Sequence, residues 1–273
     1  MSTIRITIDL FSGRPNPVLD LSGRQARTVL ALLRSAQRAG PTALPVSTLG
    51  YRGLLIERLG EQPRQLVRSV DSALEEFVGA HPSLARRSEL GPRFPKLLRH
   101  EMARYRVLRA HWSHRRLPWP QRRHCHCAPL YEPAWWNDAG QKQWNNNCYN
   151  YSTDIRTDTF AQPGQASGAM YTQLTCASVR PAAVADCLIA RPLAHNKCPG
   201  EGHLVALVIA PGIDFHWYRK GRNGYWSHKP GPSPVVHMDN SNHLIPDPRT
   251  ADRGMYTQFC TFMVVMHGHV KIQ

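Results

Sequence analysis

Residues 203–229, HLVALVIAPGIDFHWYRKGRNGYWSHK, contain three segments that predict neighbouring strands of one sheet. The first, HLVALVIA, is a continuous apolar run of strand length, and the segments DFHWYRK and GYWSHK are rich in aromatic residues. Asn223-Gly224, between these two segments, is a strong signal for a hairpin turn. We therefore expect an antiparallel hairpin next to a buried strand.

This hairpin is expected to bring two histidines together. His216 stands near the start of the first hairpin strand and His228 near the end of the second, twelve residues later. In an antiparallel pair the start of one strand lies beside the end of the other, so the two imidazoles can approach each other. One ring can then act as a base while the other fixes its tautomer and orientation.

A cysteine in a polar setting precedes the hairpin. Cys148 lies in WNNNCYNYSTD, residues 144–154, whereas structural cysteines usually sit among aliphatic side chains. The three asparagines before it are good N-cap residues, which predicts a helix from about residue 147 into the early 150s with Cys148 in its first turn. The start of a helix favours a thiolate, so Cys148 is a candidate nucleophile.

The order of these features resembles the NlpC-type cysteine peptidases of the papain-like superfamily. The resemblance rests on a helix-borne cysteine, a strand led by glycine, a histidine at a strand start and a polar residue closing the next strand, and it covers about residues 140–270. It implies a helix packed on an antiparallel sheet and cleavage of amide bonds in peptides or cell-wall peptides. It also implies that Cys148 is the nucleophile, His216 the base and His228 the orienting residue.

Two other assignments stay open at this point. His203 and His216 are thirteen residues apart and can also fill the base and orienting roles. Asp239 can orient His216 in place of His228, since carboxylates do this in other triads. Four aromatic residues flank the proposed histidines and are candidates for lining the substrate cleft: Trp217, Tyr218, Tyr225 and Trp226.

A second kind of chemistry is suggested by the stretch RRHCHC. It places four good ligands in four consecutive positions, His124, Cys125, His126 and Cys127. Thiolates with imidazoles suit zinc or copper(I). Successive residues of an extended segment point to opposite sides, so only His124 with His126, or Cys125 with Cys127, share a face. A single site then needs a distant partner pair such as His195 with Cys198. The thiol mechanism itself needs no metal and no cofactor.

The remaining cysteines are interpreted as core or incidental residues. All seven cysteines lie in the second half of the chain, at positions 125, 127, 148, 176, 187, 198 and 260. The odd count, in a chain that begins without the features of a signal peptide, argues against a full disulfide framework. No apolar run approaches the roughly 20 residues of a membrane span. These observations predict a cytoplasmic protein, with signal-independent export left open.

Positive charge is concentrated in the first half of the chain. Residues 1–123 contain 22 Lys and Arg against 9 Asp and Glu, a net charge of +13, whereas the whole chain carries +15. Such a field attracts nucleic acid or an acidic protein surface, although no recognised nucleic-acid motif accompanies it.

The N-terminal pattern predicts a hairpin followed by helices. TIRITIDLF, residues 3–11, alternates like a strand with one buried face, and VLDL reads as its return strand after a turn. Ser22 to Gly40 has the pattern of a capped helix. Further amphipathic helical segments are expected at about 47–59, 62–79 and 94–112.

The sequence as a whole predicts an α+β protein with two regions. Residues 1–120 form a basic α+β module of hairpin and helices, and residues 121–273 form a papain-like domain of helix and antiparallel sheet. The expected activity is thiol-dependent hydrolysis or acyl or peptidyl transfer at an amide bond, with a peptide or other amide as substrate. The alternatives are a basic binding protein with an inactive hydrolase-like domain, and a metal-binding module.

Overall fold

The chain separates into two compact units. The computed structural model describes residues 3–38, 48–60, 66–111, 125–191 and 196–273. The first unit consists of Met1–Leu10, Asn16–Val46 and Gly50–His111, and the second of Phe11–Pro15, Ser47–Leu49 and Trp112–Gln273. The second unit therefore includes two short segments from the N-terminal part of the chain.

The first unit contains a four-stranded antiparallel sheet in the order β2-β1-β3-β4. Its strands are β1 (Thr3–Asp9), β2 (Val18–Leu21), β3 (Gly53–Leu59) and β4 (Leu66–Ser69). The predicted hairpin is confirmed, because β1 and β2 pair with Ile6 opposite Leu19. Ile4, Ile6 and Ile8 are fully buried, as their alternation requires.

The helix expected at about 47–59 is wrong, because residues 53–59 form β3. This strand lies between β1 and β4, with Ile56 opposite Ile6 on one side and Val67 on the other. Leu54, Leu55 and Ile56 are all buried. A central strand covered on both faces is continuously apolar, and periodicity does not distinguish such a run from a buried helix.

Helices complete the first unit. They are α1 (Gly23–Arg38), α2 (Ser72–Gly79), α3 (Pro82–Ala85) and α4 (Phe94–His111), and a 3₁₀ turn lies at Ser88–Leu90. α1 and α4 confirm the helices predicted after Ser22 and at 94–112. The segment 62–79 instead divides into β4 and α2, and its residues 62–65 lie outside the described ranges. Asp71 begins α2 by accepting the N–H groups of Ala73 and Leu74.

The second unit contains a five-stranded antiparallel sheet in the order β5-β9-β6-β7-β8. Its strands are β5 (Ile189–Ala190), β6 (His203–Ala210), β7 (Asp214–Lys220), β8 (Trp226–His228) and β9 (Gln258–Val265). β6 coincides with the predicted strand HLVALVIA and is buried along its whole length. β7 and β8 form the predicted hairpin, with Tyr218 opposite His228.

Both faces of this sheet are covered. The helices of the second unit are α5 (Pro133–Trp136), α6 (Gln141–Asn145), α7 (Cys148–Thr153) and α8 (Cys176–Ala185). On one face Val205 and Leu207 pack with Cys148 of α7 and Val179 of α8. On the other face Ala206 and Val208 join a separate cluster. The protein is thus α+β, as predicted, while the papain-like assignment of the second unit stays a prediction.

No helix among the described residues is both long enough and apolar enough to cross a lipid bilayer.

Candidate functional site

The two histidines of the hairpin are in direct contact, as the hairpin geometry predicts. His216 lies on β7 and His228 at the end of β8, and both are buried. Nε2 of His216 lies 3.0 Å from Nδ1 of His228. Nε2 of His228 in turn lies 3.0 Å from the carbonyl oxygen of Met238.

These contacts determine which ring nitrogens carry protons. A carbonyl oxygen can only accept, so Nε2 of His228 must be protonated and donate to Met238. In the neutral ring Nδ1 of His228 is then an acceptor, and Nε2 of His216 is its donor. The lone pair of a neutral His216 is therefore on Nδ1. The chain of two hydrogen bonds, which ends at the Met238 carbonyl, therefore holds His216 in the tautomer in which Nδ1 can act as a base.

Tyr218 holds the two rings in place. Its ring centroid lies 4.8 Å from that of His216, edge-on, and 4.9 Å from that of His228. Tyr256 packs on His216 as well, with ring centroids 5.6 Å apart. Close packing of this kind restricts ring rotation, so the orientation that the hydrogen bonds require is also supported by contacts with aromatic residues.

Cys148 is the first residue of α7, as its sequence context predicts. The side chain of Asn147 accepts the N–H groups of Tyr149 and Asn150, at 3.0 and 3.2 Å. The side chain of Asn150 reaches back to the N–H of Asn147 at 3.0 Å, which completes a capping box. The asparagines thus begin the helix and place the cysteine at its start.

The expectation that this position favours a thiolate is wrong for the described state. Cys148 is fully buried. Burial and the nearby Asp214 carboxylate raise the pKa of its thiol well above the usual value, although backbone N–H groups of Trp217 and Cys148 act in the lowering direction. Desolvation outweighs the backbone donors, so Cys148 rests as a neutral thiol.

A short segment that sequence reasoning missed lies against Cys148. The N–H of Cys148 donates to the carbonyl oxygen of Ser12, at 3.4 Å. The carbonyl oxygen of Gly13 accepts from the side-chain amides of Asn147 and Gln162, at 2.6 and 2.9 Å. A backbone N–H beside a nucleophile can serve as an oxyanion donor, but the N–H of Cys148 is occupied by a carbonyl of the protein itself.

Asp214 anchors this segment. Its buried carboxylate accepts the backbone N–H groups of Ser12, Gly13 and Arg14, at 2.6, 3.2 and 3.0 Å, and the hydroxyl of Tyr256 at 2.5 Å. Burial raises the pKa of Asp214, and these donors oppose the rise.

The segment also needs a glycine at position 13. A Cβ atom at Gly13 would lie 2.4 Å from the ring of Phe215. The stretch SGRPNP, residues 12–17, predicts only the turn between the first two strands. Nothing in its local pattern indicates a partner some 200 residues away.

His203 is not a partner of His216. Opposite His216 on β6 stands Val208, five residues along the strand from His203, a separation of about 16 Å. Nε2 of His203 instead lies 2.7 Å from the carbonyl oxygen of Ser152. The alternative that pairs these two histidines is therefore wrong.

The Asp239 carboxylate is engaged by backbone groups of its own loop. It accepts the backbone N–H groups of Ser241, His243 and Asp252, at 2.9 to 3.0 Å. The orienting group for the histidine pair is the carbonyl of the preceding residue, Met238.

The four aromatic residues expected to line a cleft are core residues instead. Trp217, Tyr218 and Trp226 are fully buried and Tyr225 is 5% exposed. Trp217 packs on Tyr149 of α7, and Trp226 stacks on Phe262 of β9. Because both faces of the sheet are covered, aromatic side chains on either side of β7 and β8 enter a core.

The cysteines form two disulfides, contrary to the interpretation of Cys176, Cys198 and Cys260 as core or incidental residues. The bonds join Cys125 to Cys198 and Cys176 to Cys260. Cys127, Cys148 and Cys187 are free thiols. Sequence alone does not give this pairing, because the partners are 73 and 84 residues apart.

The predicted metal ligands converge only in part. The sulfurs of Cys125, Cys127 and Cys198 lie within 4.8 Å of one another, the sole group of its kind among the described residues. His126 is exposed and is not part of that group. His124 and His195 lie outside the described ranges. With Cys125 and Cys198 disulfide-bonded, their sulfurs are not available as thiolate ligands.

Comparison with known proteins gives one informative relative. No family model matches the sequence, and no solved structure matches it. The chain is 45% identical over 142 residues to insoluble matrix shell protein 1 of Ruditapes philippinarum, and this alignment covers 51% of the chain and 91% of that protein.

The expectation of a cytoplasmic location is wrong. The relative is named as a shell matrix protein, and the chain has two disulfides of its own. Disulfides form and persist mainly in oxidising compartments outside the cytosol. An identity of 45% over nearly the whole length of the relative shows that the chain belongs to the same protein family as insoluble matrix shell protein 1.

Proposed function

We propose that this is a secreted, disulfide-bonded protein whose second unit is a thiol-dependent hydrolase or acyl transferase acting on amide bonds. The observation that carries the proposal is the hydrogen-bonded chain from His216 through His228 to the Met238 carbonyl. It leaves the basic nitrogen of His216 at Nδ1 and holds the ring by a second imidazole, which is the arrangement that a nucleophilic cysteine requires of its base.

Cys148 is the proposed nucleophile. A backbone group of Trp217, the residue that follows His216 on β7, acts to lower the pKa of this thiol. Because burial raises the pKa of Cys148, the thiol is protonated at neutral pH, and attack on a carbonyl carbon requires His216 to take the proton in the same step. The imidazolium then protonates the leaving amine, and water or a second amine resolves the acyl-enzyme. In this scheme the substrate's carbonyl oxygen replaces that of Ser12 at the Cys148 N–H.

A second candidate function is favoured by the relative. Insoluble matrix shell protein 1 is named for a shell matrix, which favours a non-catalytic matrix component. The basic helices of the chain suit an acidic partner. Arg24, Arg27 and Arg34 are exposed along one side of α1, and the net charge of +13 on residues 1–123 attracts acidic polymers or nucleic acid.

The histidine pair can be tested without knowing the substrate. We would measure the iodoacetamide labelling rate of each free cysteine in the native, disulfide-bonded protein by peptide mass spectrometry. Loss of the base in His216→Gln is expected to slow labelling of Cys148 by about 100-fold, the lower end of what general bases contribute. Cys127 and Cys187 serve as internal references and should keep their rates.

The matched control is His269→Gln, which changes an exposed histidine of the same unit. Equal Cys148 rates in the wild type and in His216→Gln, with the fold intact by circular dichroism, would rule out the activated thiol. The function as a non-catalytic matrix component would then be the remaining proposal. It predicts salt-sensitive binding to a polyanion column that is unchanged in Cys148→Ala.

A further inference from the structure

A free thiol lies beside one of the two disulfides. The sulfur of Cys127 is within 4.8 Å of both sulfurs of the Cys125–Cys198 bond. Three sulfurs at this separation can exchange partners without a large movement of the backbone, since thiol–disulfide exchange proceeds by direct attack of one sulfur on another.

The segments that carry these sulfurs are held independently of the disulfide. The N–H of Cys125 donates to the carbonyl of Arg222 at 2.8 Å, and the N–H of Arg222 donates to the carbonyl of Pro129 at 2.9 Å. On the other side, the Cys127 thiol donates to the carbonyl of Pro199 at 3.0 Å. Opening the Cys125–Cys198 bond therefore leaves the three cysteines close together.

We propose that Cys125, Cys127 and Cys198 form a thiol–disulfide exchange site, in which Cys127 attacks the Cys125 sulfur and releases Cys198 as an exposed thiol for a mixed disulfide with a disulfide-bearing partner protein. The proposal does not depend on the hydrolase activity.

Burial gives the direction of the exchange. Cys125 is 1% exposed, Cys127 is half-buried and Cys198 is exposed. A departing thiolate is more stable in water than in an apolar environment, so Cys198 is the better leaving group. Cys125 is therefore disulfide-bonded both before the exchange, to Cys198, and after it, to Cys127. The N–H of Ala128 donates to the carbonyl of Cys125 at 2.9 Å, which closes a turn and keeps the α-carbons of residues 125 and 127 closer than in an extended strand.

The steps need no external oxidant or reductant. In the first step the Cys127–Cys125 bond forms and the Cys125–Cys198 bond breaks, with its electron pair going to the Cys198 sulfur. The proton of Cys127 passes through water to Cys198 or to solvent. In the second step the Cys198 thiolate attacks a disulfide of the partner, forms a mixed disulfide and releases the partner's other sulfur as a thiol.

The exchange can be followed by peptide mapping. Folded protein is incubated at about pH 8, near the usual thiol pKa, then pulsed with N-ethylmaleimide and digested with trypsin without reduction. Cleavage after Arg123, Lys142 and Lys197 places Cys125 and Cys127 on one peptide, 124–142, and Cys198 at the start of another. The expected product is a 124–142 peptide with an internal disulfide, together with a labelled Cys198 peptide that increases with incubation time.

Two variants and one internal reference complete the test. Cys127→Ser should abolish Cys198 labelling, whereas Cys187→Ser, which removes the exposed free thiol, should leave it unchanged. The Cys176–Cys260 bond should stay intact in the same digest. The proposal is overturned if Cys198 is never labelled while Cys127 is labelled completely, or if Cys176–Cys260 scrambles at the same rate.

Discussion

Burial determines the protonation state of His203. Its Nε2 lies 2.7 Å from the carbonyl oxygen of Ser152, so the neutral ring donates there, and its Nδ1 has no hydrogen-bond partner among the described residues. Burial lowers the pKa of His203 to about 4, and the hydrogen bond to Ser152 only partly opposes this. A protonated imidazole would have to give up its hydration inside the second unit, which is the physical cause of the shift.

This shift makes stability depend on pH. The unfolded chain takes up the proton near pH 6.5 and the folded chain only near pH 4, so between these values the unfolded state binds more protons. The stabilising contribution is complete above about pH 6.5 and is lost as the pH falls towards 4. We expect His203→Gln to remove up to about 3 kcal/mol of the acid-dependent loss in the free energy of unfolding.

Tryptophan fluorescence during urea unfolding measures the free energy of unfolding of the second unit, which contains His203. All seven tryptophans lie at residue 112 or later, within the second unit. His269→Gln, in which an exposed ring is replaced, should keep the wild-type pH profile. A wild-type free energy of unfolding that does not change between about pH 6.5 and 4.5 would contradict the assignment.

At the level of elements, a buried carboxylate joins three strands of the first unit. Asp9 at the end of β1 accepts from Arg52, which precedes β3, at 2.5 Å, and from Arg68 of β4. Burial alone would raise the pKa of Asp9, but the two guanidinium groups hold it below its usual value. The carboxylate is therefore charged, and both Arg52 and Asp9 are fully buried.

Removing one partner of this group leaves buried positive charge without compensation. Asp9→Asn is expected to destabilise the first unit by about 3–5 kcal/mol. Asp20→Asn is the matched control, because its partner Arg5 lies on the same strand as Asp9 and the pair is 41% and 47% exposed. It should cost less than about 1 kcal/mol. Hydrogen exchange of the β1 and β3 amides gives both values, and equal protection in the two variants would refute the argument.

Strand pairing explains which elements the sequence predicts well. The β7–β8 hairpin follows from a local turn signal, so the contact between His216 and His228 is predictable from two positions in one short segment. β3 is not predictable in this way, because its apolar run has the composition of a helix or a strand until its neighbours β1 and β4 are known. Local patterns identify hairpins, whereas a central strand is identified only by its partners.

At the level of the whole molecule, the parts that sequence reasoning missed are long-range contacts. The segment at Ser12–Arg14 meets Asp214 across about 200 residues, and the disulfides span 73 and 84 residues. Neither leaves a local signal, because the turn residues and cysteines involved are common in many settings. The contact between His216 and His228 was therefore predicted. The burial of Cys148, and with it the protonation of its thiol, was not.

The same long-range contacts predict how the chain behaves when it is cut. A fragment of residues 121–273 lacks residues 12–14, so Asp214 loses its three backbone donors and keeps only the hydroxyl of Tyr256. Asn240 loses both of its bonds to Leu49, at 2.7 and 3.0 Å. A buried carboxylate that has lost most of its donors costs several kcal/mol, comparable to the whole stability of many domains.

We therefore expect the fragment 121–273 to lack native near-ultraviolet circular dichroism and a cooperative thermal transition, even with both disulfides formed. Co-expression of residues 1–120 supplies the missing segments in trans and should restore soluble, folded material. The control is the full chain with Gly200→Ala, a change in open space that should leave the transition unaltered. A fragment that melts at the temperature of the full chain would show instead that residues 11–15 and 47–49 are dispensable for the second unit.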